Sequence, residues 1–129
     1  DYLVVNEHEA LDLAAALGMS VTDFELAARE LARSGRLICV VTAGAEGAFA
    51  FAQDGGRTHV PTLKIVPIDT TGAGDTFVGA FACLISEKAP LPKALEVACE
   101  AAALKCLKRG AQDGMPLRSA LKALNEGAQ

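Results

Sequence analysis

The sequence lacks the features of a membrane protein and of a nucleic-acid-binding protein. No uncharged run approaches the length needed to cross a bilayer, and the first three residues carry none of the basic charge that opens a secretory signal. Twelve Lys and Arg residues stand against 16 Asp and Glu residues, without a basic cluster. We therefore expect a cytoplasmic protein with no membrane or nucleic-acid partner, in which any bound anion is held locally.

The sequence also lacks the paired spacing of cysteine and histidine that binds metals. None of the cysteines lies in a Cys-x-x-Cys pattern, and His8 and His59 stand alone. The four cysteines lie among apolar residues and are predicted to be buried free thiols: Cys39, Cys83, Cys99 and Cys106. The sequence therefore predicts no metal site built from Cys and His.

What is present is enough apolar sequence for one folded core. Hydrophobic residues make up 51% of the chain and charged residues 22%, which excludes a mainly disordered protein. The length of 129 residues, without a linker or an internal repeat, predicts a single domain over residues 1–129. A short strand, two helices and a continuous apolar strand at 37–42 follow one another, an order that is typical of an α/β layer fold.

Local signals predict several further elements. Thr22 and Glu25 form a predicted capping box at the start of the second helix, and Asp54-Gly55 predicts the turn of a hairpin. Residues 74–86 are apolar almost all round, which predicts a central, buried helix. Pro92 opens a helix that is expected to reach residue 108, and residues 117–124 predict a short terminal helix.

A loop of small residues runs directly into the apolar helix, and it carries the chemistry. Glycines let a backbone approach a ligand, and the first amides of a helix are unpaired donors, so Gly72, Ala73 and Gly74 predict an anion hole. Asp75 follows in the same turn, where its carboxylate would repel a bound phosphate. There it can take the proton from an attacking hydroxyl while the amides stabilise a transferring phosphoryl group. The alternative is that Asp75 only complements the helix dipole.

The residues around this loop resemble a known family. The segment is Asp69-Thr70-Thr71-Gly72-Ala73-Gly74-Asp75-Thr76-Phe77, followed by Val78-Gly79-Ala80-Phe81. At nearly every position it resembles the C-terminal signature of the PfkB-type carbohydrate kinases, the ribokinase family. The resemblance implies a ribokinase-like three-layer α/β/α sandwich with Asp75 as general base. It also implies that the chain is the C-terminal, nucleotide-binding part of a longer kinase, because nothing here matches the family's N-terminal half.

Two shorter motifs match the same family in the expected order. Asn6-Glu7-His8-Glu9 resembles its Asn-x-x-Glu motif, which implies that Asn6 and Glu9 help to hold Mg²⁺, mainly through water. Oxygen ligands suit a hydrated Mg²⁺, although the stretch alone also fits a helix start capped by Asn6. Thr42-Ala43-Gly44 resembles the family's Thr-x-Gly turn, which implies that Thr42 and Gly44 contact nucleotide phosphates; alone it is an ordinary strand-end turn.

The C-terminal segment resembles the ribokinase branch of the family, through Lys108-Arg109-Gly110-Ala111-Gln112 and Met115-Pro116. In ribokinases the matching segment closes a monovalent-cation site. The resemblance implies a K⁺ site formed by Asp69 and by the backbone carbonyls of the following residues: Thr71, Lys105, Lys108 and Gly110. Gly114 stands where the family often has serine, and its missing hydroxyl predicts weaker binding. Alternatively, Gly110 only ends a helix whose last turn is basic.

Together these resemblances imply ATP-dependent phosphorylation of a sugar hydroxyl, with ribose favoured and Mg²⁺ required. One alternative is another kinase of the family, acting on fructose, ketodeoxygluconate or a nucleoside. An alternative of a different class is a non-catalytic nucleotide-binding or assembly module. The resemblance also allows a homodimer of the full-length protein. The isolated chain is expected to be inactive, because the family's sugar contacts lie in the half that has no match here.

Overall fold

The computed structural model describes residues 1–65 and 67–107, which form two compact units. The first unit runs from Asp1 to His59, and the second begins at Val60. The single domain over residues 1–129 stays a prediction. The helix expected at 117–124 and three of the predicted cation ligands, Lys108, Gly110 and Gly114, lie outside the described residues.

The first unit is a mixed sheet with two helices. The sheet has the order β1-β2-β3-β4, in which β1 is parallel to β2 and β2 is antiparallel to β3. Both helices pack against the strands. The elements are β1 (Tyr2–Asn6), α1 (Glu7–Ala16), α2 (Phe24–Gly35), β2 (Ile38–Thr42), a 3₁₀ turn (Gly44–Glu46), β3 (Ala48–Phe51) and β4 (Arg57–Val60), of which only the last residue belongs to the second unit.

The core of the first unit lies between the helices and the sheet. Val41 and Cys39 of β2 are fully buried, as expected for a continuous apolar strand in a partly parallel sheet. The helices contribute mainly alanines to this core, so that their backbones lie close to the sheet: Ala10, Ala14, Ala27, Ala28 and Ala32. Phe49 and Phe51 of β3 fill the remaining volume.

Two local signals in the sequence, one for a hairpin turn and one for a helix cap, can be compared with the structure. The hairpin predicted at Asp54-Gly55 is confirmed, with the Ala52 amide donating to the Gly56 carbonyl at 2.9 Å and Gly55 at φ +97°. The predicted Thr22 capping box is wrong. Asp23 is the N-cap of α2, and its Oδ1 accepts from the Glu25 amide at 2.9 Å, because a carboxylate one position closer to the helix competes for the same donor.

The second unit contains α3 (Ala73–Ser86) and α4 (Leu91–Lys105), which pack against each other. Phe77, Phe81 and Leu84 form the buried face of α3. The prediction of burial all round is wrong, because a second face is exposed: Val78, Gly79, Ala82, Cys83 and Ser86. Cys83 is therefore exposed, whereas Cys39, Cys99 and Cys106 are buried as predicted. Within the described residues, no helix has the length and apolarity to span a membrane.

Candidate active site

Helix α3 begins directly after a glycine that holds a left-handed conformation. Gly72 is the N-cap at φ +79°, a conformation that costs a residue with a Cβ atom more than it costs glycine. Short-range hydrogen bonds shape the chain before it. The Thr71 amide donates to Asp69 Oδ1 at 2.8 Å, and the Ala73 amide donates to the Thr70 carbonyl at 3.1 Å. Bonds within the loop therefore define its turn at Thr70 to Ala73.

Two of the three amides predicted to form the anion hole lack a hydrogen-bond partner among the described residues. They are those of Gly72 and Gly74, whereas the Ala73 amide is already bonded. A Cβ atom added at Gly74 would meet no atom within 4 Å, so the space beside this amide is open. Unpaired donors at the positive end of a helix dipole favour an anion. This end of α3 can therefore bind a phosphoryl group through its backbone.

Asp75 lies in the first turn of α3, and its side chain is exposed. In the part of the chain that the structure describes, its carboxylate makes no hydrogen bond or ion pair. The helix has no side-chain cap, so Asp75 does not serve as one. A carboxylate without a partner, beside unpaired amides, is free to accept a proton from a hydroxyl group.

The first unit brings two of the other predicted residues side by side. Asn6 and Thr42 are register partners in the parallel strands β1 and β2, and each is the last residue of its strand. Gly44 follows two residues after Thr42 at φ +54°, where it begins the 3₁₀ turn. Ligands of α/β sheets bind beyond the carboxyl ends of the parallel strands. Asn6, Thr42 and Gly44 thus share the edge of the sheet at which a ligand is expected.

Asn6 and Glu9 form a reciprocal capping box at the start of α1. The Glu9 amide donates to Asn6 Oδ1, and the Asn6 amide donates to Glu9 Oε1, both at 2.8 Å. The alternative interpretation of this stretch, a helix start capped by Asn6, is therefore confirmed. Oε2 of the exposed Glu9 takes no part in the box, so the carboxylate can still reach a hydrated Mg²⁺ through water. Among the described residues, no three Asp, Glu, His or Cys side chains cluster as direct metal ligands.

Of the residues predicted to bind a monovalent cation, the structure describes three: Asp69, Thr71 and Lys105. The carbonyl of Cys106, the residue after Lys105, accepts from the amides of Ile68 and Asp69 at 2.7 and 3.0 Å. The end of α4 is thus bonded to the segment that carries Asp69. The sequence predicted a cation-binding carbonyl at Lys105 or, alternatively, a basic side chain at a helix end, and it did not predict that this side chain is fully buried. Its position within the apolar run 101–106 was the available signal.

The model of the pfkB family carbohydrate kinases matches residues 1–118. The ribokinase of Lactococcus lactis is 37% identical over 123 residues, which are 95% of this chain and 38% of that protein.

Solved structures give the same result. A ribokinase from Thermotoga maritima superposes with a TM-score of 0.87 at 34% identity, over 98% of this chain and 42% of that one. An Arabidopsis thaliana ribokinase complexed with ribose and ATP superposes with a TM-score of 0.81 at 32% identity, over 96% of this chain and 40% of that one. The chain spans about two fifths of the length of these relatives. The predicted ribokinase-like α/β fold is confirmed, and the chain belongs to the pfkB family of carbohydrate kinases.

Proposed function

We propose that the protein containing this chain transfers the γ-phosphoryl group of ATP to a hydroxyl group of a sugar, with ribose as the favoured acceptor. The observation that carries the proposal is the exposed carboxylate of Asp75, without a partner among the described residues, beside the unpaired amides of Gly72 and Gly74. Family membership supports the reaction class. The ribokinase from Arabidopsis, which binds ribose and ATP, supports this pair of substrates.

In the proposed reaction Asp75 accepts the proton of the sugar hydroxyl as its oxygen attacks the γ-phosphorus. The new bond joins the sugar oxygen to phosphorus, the bond to the β,γ-bridging oxygen breaks, and ADP leaves with that electron pair. Negative charge on the transferring group is stabilised by the amides of Gly72 and Gly74. The Ala73 amide joins this anion hole if its 3.1 Å bond to the Thr70 carbonyl opens.

Residues of the first unit are assigned to binding of the nucleotide. The Thr42 hydroxyl and the Gly44 amide contact phosphate, and Asn6 and Glu9 position Mg²⁺ through water. Their place at the carboxyl ends of β1 and β2 supports this assignment. When bound, Mg²⁺ neutralises phosphate charge and so assists transfer.

The predicted K⁺ site has less support, because the described residues do not fit a second cation well. Lys105 carries a buried side chain that ends in a positive charge, which would repel a second cation bound at its own carbonyl. Lys108, Gly110 and Gly114 lie outside the described residues. No step of the proposed reaction depends on K⁺.

The test is an assay of a full-length protein that contains this chain. ADP release is measured with ribose, fructose, ketodeoxygluconate and a nucleoside, and mass spectrometry identifies the phosphorylated product. We expect acceptor-dependent ADP release with the highest kcat/KM for ribose. A higher kcat/KM for another acceptor would replace ribose and keep the chemistry. ADP binding without turnover of any acceptor would contradict the proposal and favour a non-catalytic nucleotide-binding module.

A further inference from the structure

Lys105 carries a buried charged group that the proposed reaction does not use. It is the last residue of α4 and is fully buried, and its Nζ atom has no hydrogen-bond partner among residues 1–65 and 67–107. Burial of a charge without a hydrogen-bonded partner is costly. The ammonium group is therefore expected to be compensated by negative charge nearby, including charge that arrives with a ligand.

The backbone next to Lys105 is bonded to the segment that leads into the anion-binding loop. The Cys106 carbonyl accepts from the amides of Ile68 and Asp69 at 2.7 and 3.0 Å. Asp69 Oδ1 accepts in turn from the Thr71 amide at 2.8 Å, directly before Gly72. A continuous series of hydrogen bonds thus joins the end of α4 to the loop. The backbone of Lys105 thus lies next to the segment that leads into the loop.

The helix that carries Lys105 offers no obvious partner at the usual spacing. Glu100 is the nearest acidic residue before it on α4 and is also buried. Residues five positions apart on a helix lie about 140° apart around its axis, whereas ion pairs within a helix form at spacings of three and four. At neither of these two spacings does α4 place an acidic residue before Lys105.

A K⁺ ion bound by the Lys105 carbonyl would conflict with the Lys105 side chain. The ammonium is tethered to the same residue by a four-carbon stem, so the two positive charges would lie within roughly 12 Å of each other. Like charges at that distance repel, with little screening where both are shielded from water. A bound cation and the Lys105 ammonium would therefore supply the same positive charge, and each would disfavour the other.

We propose that Lys105 is a positioning residue whose ammonium group supplies the positive charge that K⁺ would otherwise provide next to the segment that leads into the loop. The charge strengthens the binding of nucleotide phosphates at the amides of Gly72 and Gly74, and it makes the enzyme independent of K⁺. The inference rests on the proposed function in one respect, which is that the loop binds phosphate groups.

The test measures ADP affinity by calorimetry and the melting temperature of a full-length protein that contains this chain, in KCl and in choline chloride at equal ionic strength. For the unmodified protein we expect ADP affinities within about twofold of each other and equal melting temperatures, because the required charge is already present. An ADP affinity at least about fivefold higher in KCl would overturn the inference. The same holds for a melting temperature that rises with K⁺ concentration.

Three variants of Lys105 distinguish the effect of its charge on ADP binding from the effect of its shape. Lys105→Met removes the charge at similar volume and is expected to weaken ADP binding roughly tenfold in choline chloride. Lys105→Arg should retain most of the affinity. Lys105→Ala makes room for an ion, so KCl should restore its ADP affinity and raise its melting temperature. Lys64→Met, at an exposed lysine of the same unit, is the matched control and should change none of these values.

An ADP affinity of Lys105→Met equal to that of the unmodified protein in choline chloride would also overturn the inference. If the Lys105 variants fail to fold, the salt comparison on the unmodified protein decides alone. None of these measurements needs a sugar acceptor. A protein that shows the expected salt effects but phosphorylates no sugar would therefore contradict the proposed function and leave the role of Lys105 standing, whereas absence of ADP binding would overturn both.

Discussion

Asn6 and Thr42 are paired in register at the carboxyl ends of the parallel strands β1 and β2, although 35 residues separate them in the chain. A new element follows each strand: the Asn6 side chain caps α1, and the 3₁₀ turn that begins at Gly44 follows Thr42. Parallel pairing therefore places a candidate Mg²⁺-positioning residue beside a candidate phosphate-binding residue. This adjacency is the structural basis for assigning both to the nucleotide.

We predict that Thr42→Val weakens ATP binding with little effect on the chemical step. Valine keeps the β-branched shape that suits the strand, and it removes a hydroxyl that is proposed to contact a charged phosphate. Loss of such a hydrogen bond is expected to raise the KM for ATP roughly ten- to hundredfold while kcat changes little. Steady-state kinetics measure both values. Thr58→Val in β4 is the control, and equal effects of the two variants would contradict the assignment.

The two roles of Glu9, capping of α1 and positioning of Mg²⁺, can be tested separately. Gln at this position can still accept from the Asn6 amide, so Glu9→Gln should keep the melting temperature while the half-activating Mg²⁺ concentration rises roughly tenfold. Glu9→Ala loses both roles, including about 1 kcal/mol of helix capping. Thermal denaturation and Mg²⁺ titration of activity are the measurements. Glu7→Gln, in the same turn, is the matched control; an unchanged Mg²⁺ requirement in Glu9→Gln would leave Glu9 as a capping residue only.

The proposed general base is tested by Asp75→Asn in the full-length enzyme. We expect kcat to fall by about two to four orders of magnitude, the range for loss of a general base, with ADP affinity unchanged or higher because a negative charge beside the anion hole is removed. Rapid-quench kinetics and calorimetry measure these effects. Asp12→Asn, at an exposed position of α1, should leave both unchanged. Retention of most of the activity by Asp75→Asn would mean that Asp75 only complements the helix dipole.

Thiol reactivity should follow burial. Burial raises the pKa of Cys39 to about 11 and the pKa of Cys99 to about 11. At pH 8, below both values, only about one such thiol in a thousand is the reactive thiolate. We expect iodoacetamide to label the exposed Cys83 first and to label Cys39 and Cys99 only after denaturation. Peptide mass spectrometry over a time course reports the order, and labelling of Cys39 as fast as that of Cys83 would contradict it.

The isolated 129-residue chain should show no sugar-dependent ADP release. It spans about two fifths of the length of its relatives, and alignment of acceptor and phosphate supplies much of the rate in phosphoryl transfer. A coupled assay with ribose measures this, with a full-length protein containing the chain as the positive control. Saturable, ribose-dependent turnover by the isolated chain would show that its own residues suffice to bind the acceptor.

The features that the sequence predicted correctly depend on neighbours within a few residues. Asp54-Gly55 specifies a hairpin turn because Gly55 takes φ +97° without a Cβ penalty, and the run from Gly72 to Asp75 specifies a helix start with open amides for the same local reason. Even local patterns can leave two neighbouring residues equally suited to one role, since Asp23 rather than Thr22 caps α2. A short stretch of residues was therefore enough to predict this helix start and its open amides.

The remaining features depend on residues that are distant in the chain, and only the tertiary structure decided them. Parallel pairing of β1 with β2 brings Asn6 to Thr42, which no local pattern specifies. The exposure of Cys83 depends on which face of α3 meets α4, because an apolar sequence on all sides does not say which side is covered. The burial of Lys105 has the same origin, since a lysine at the end of a helix is expected at the surface until tertiary packing encloses it.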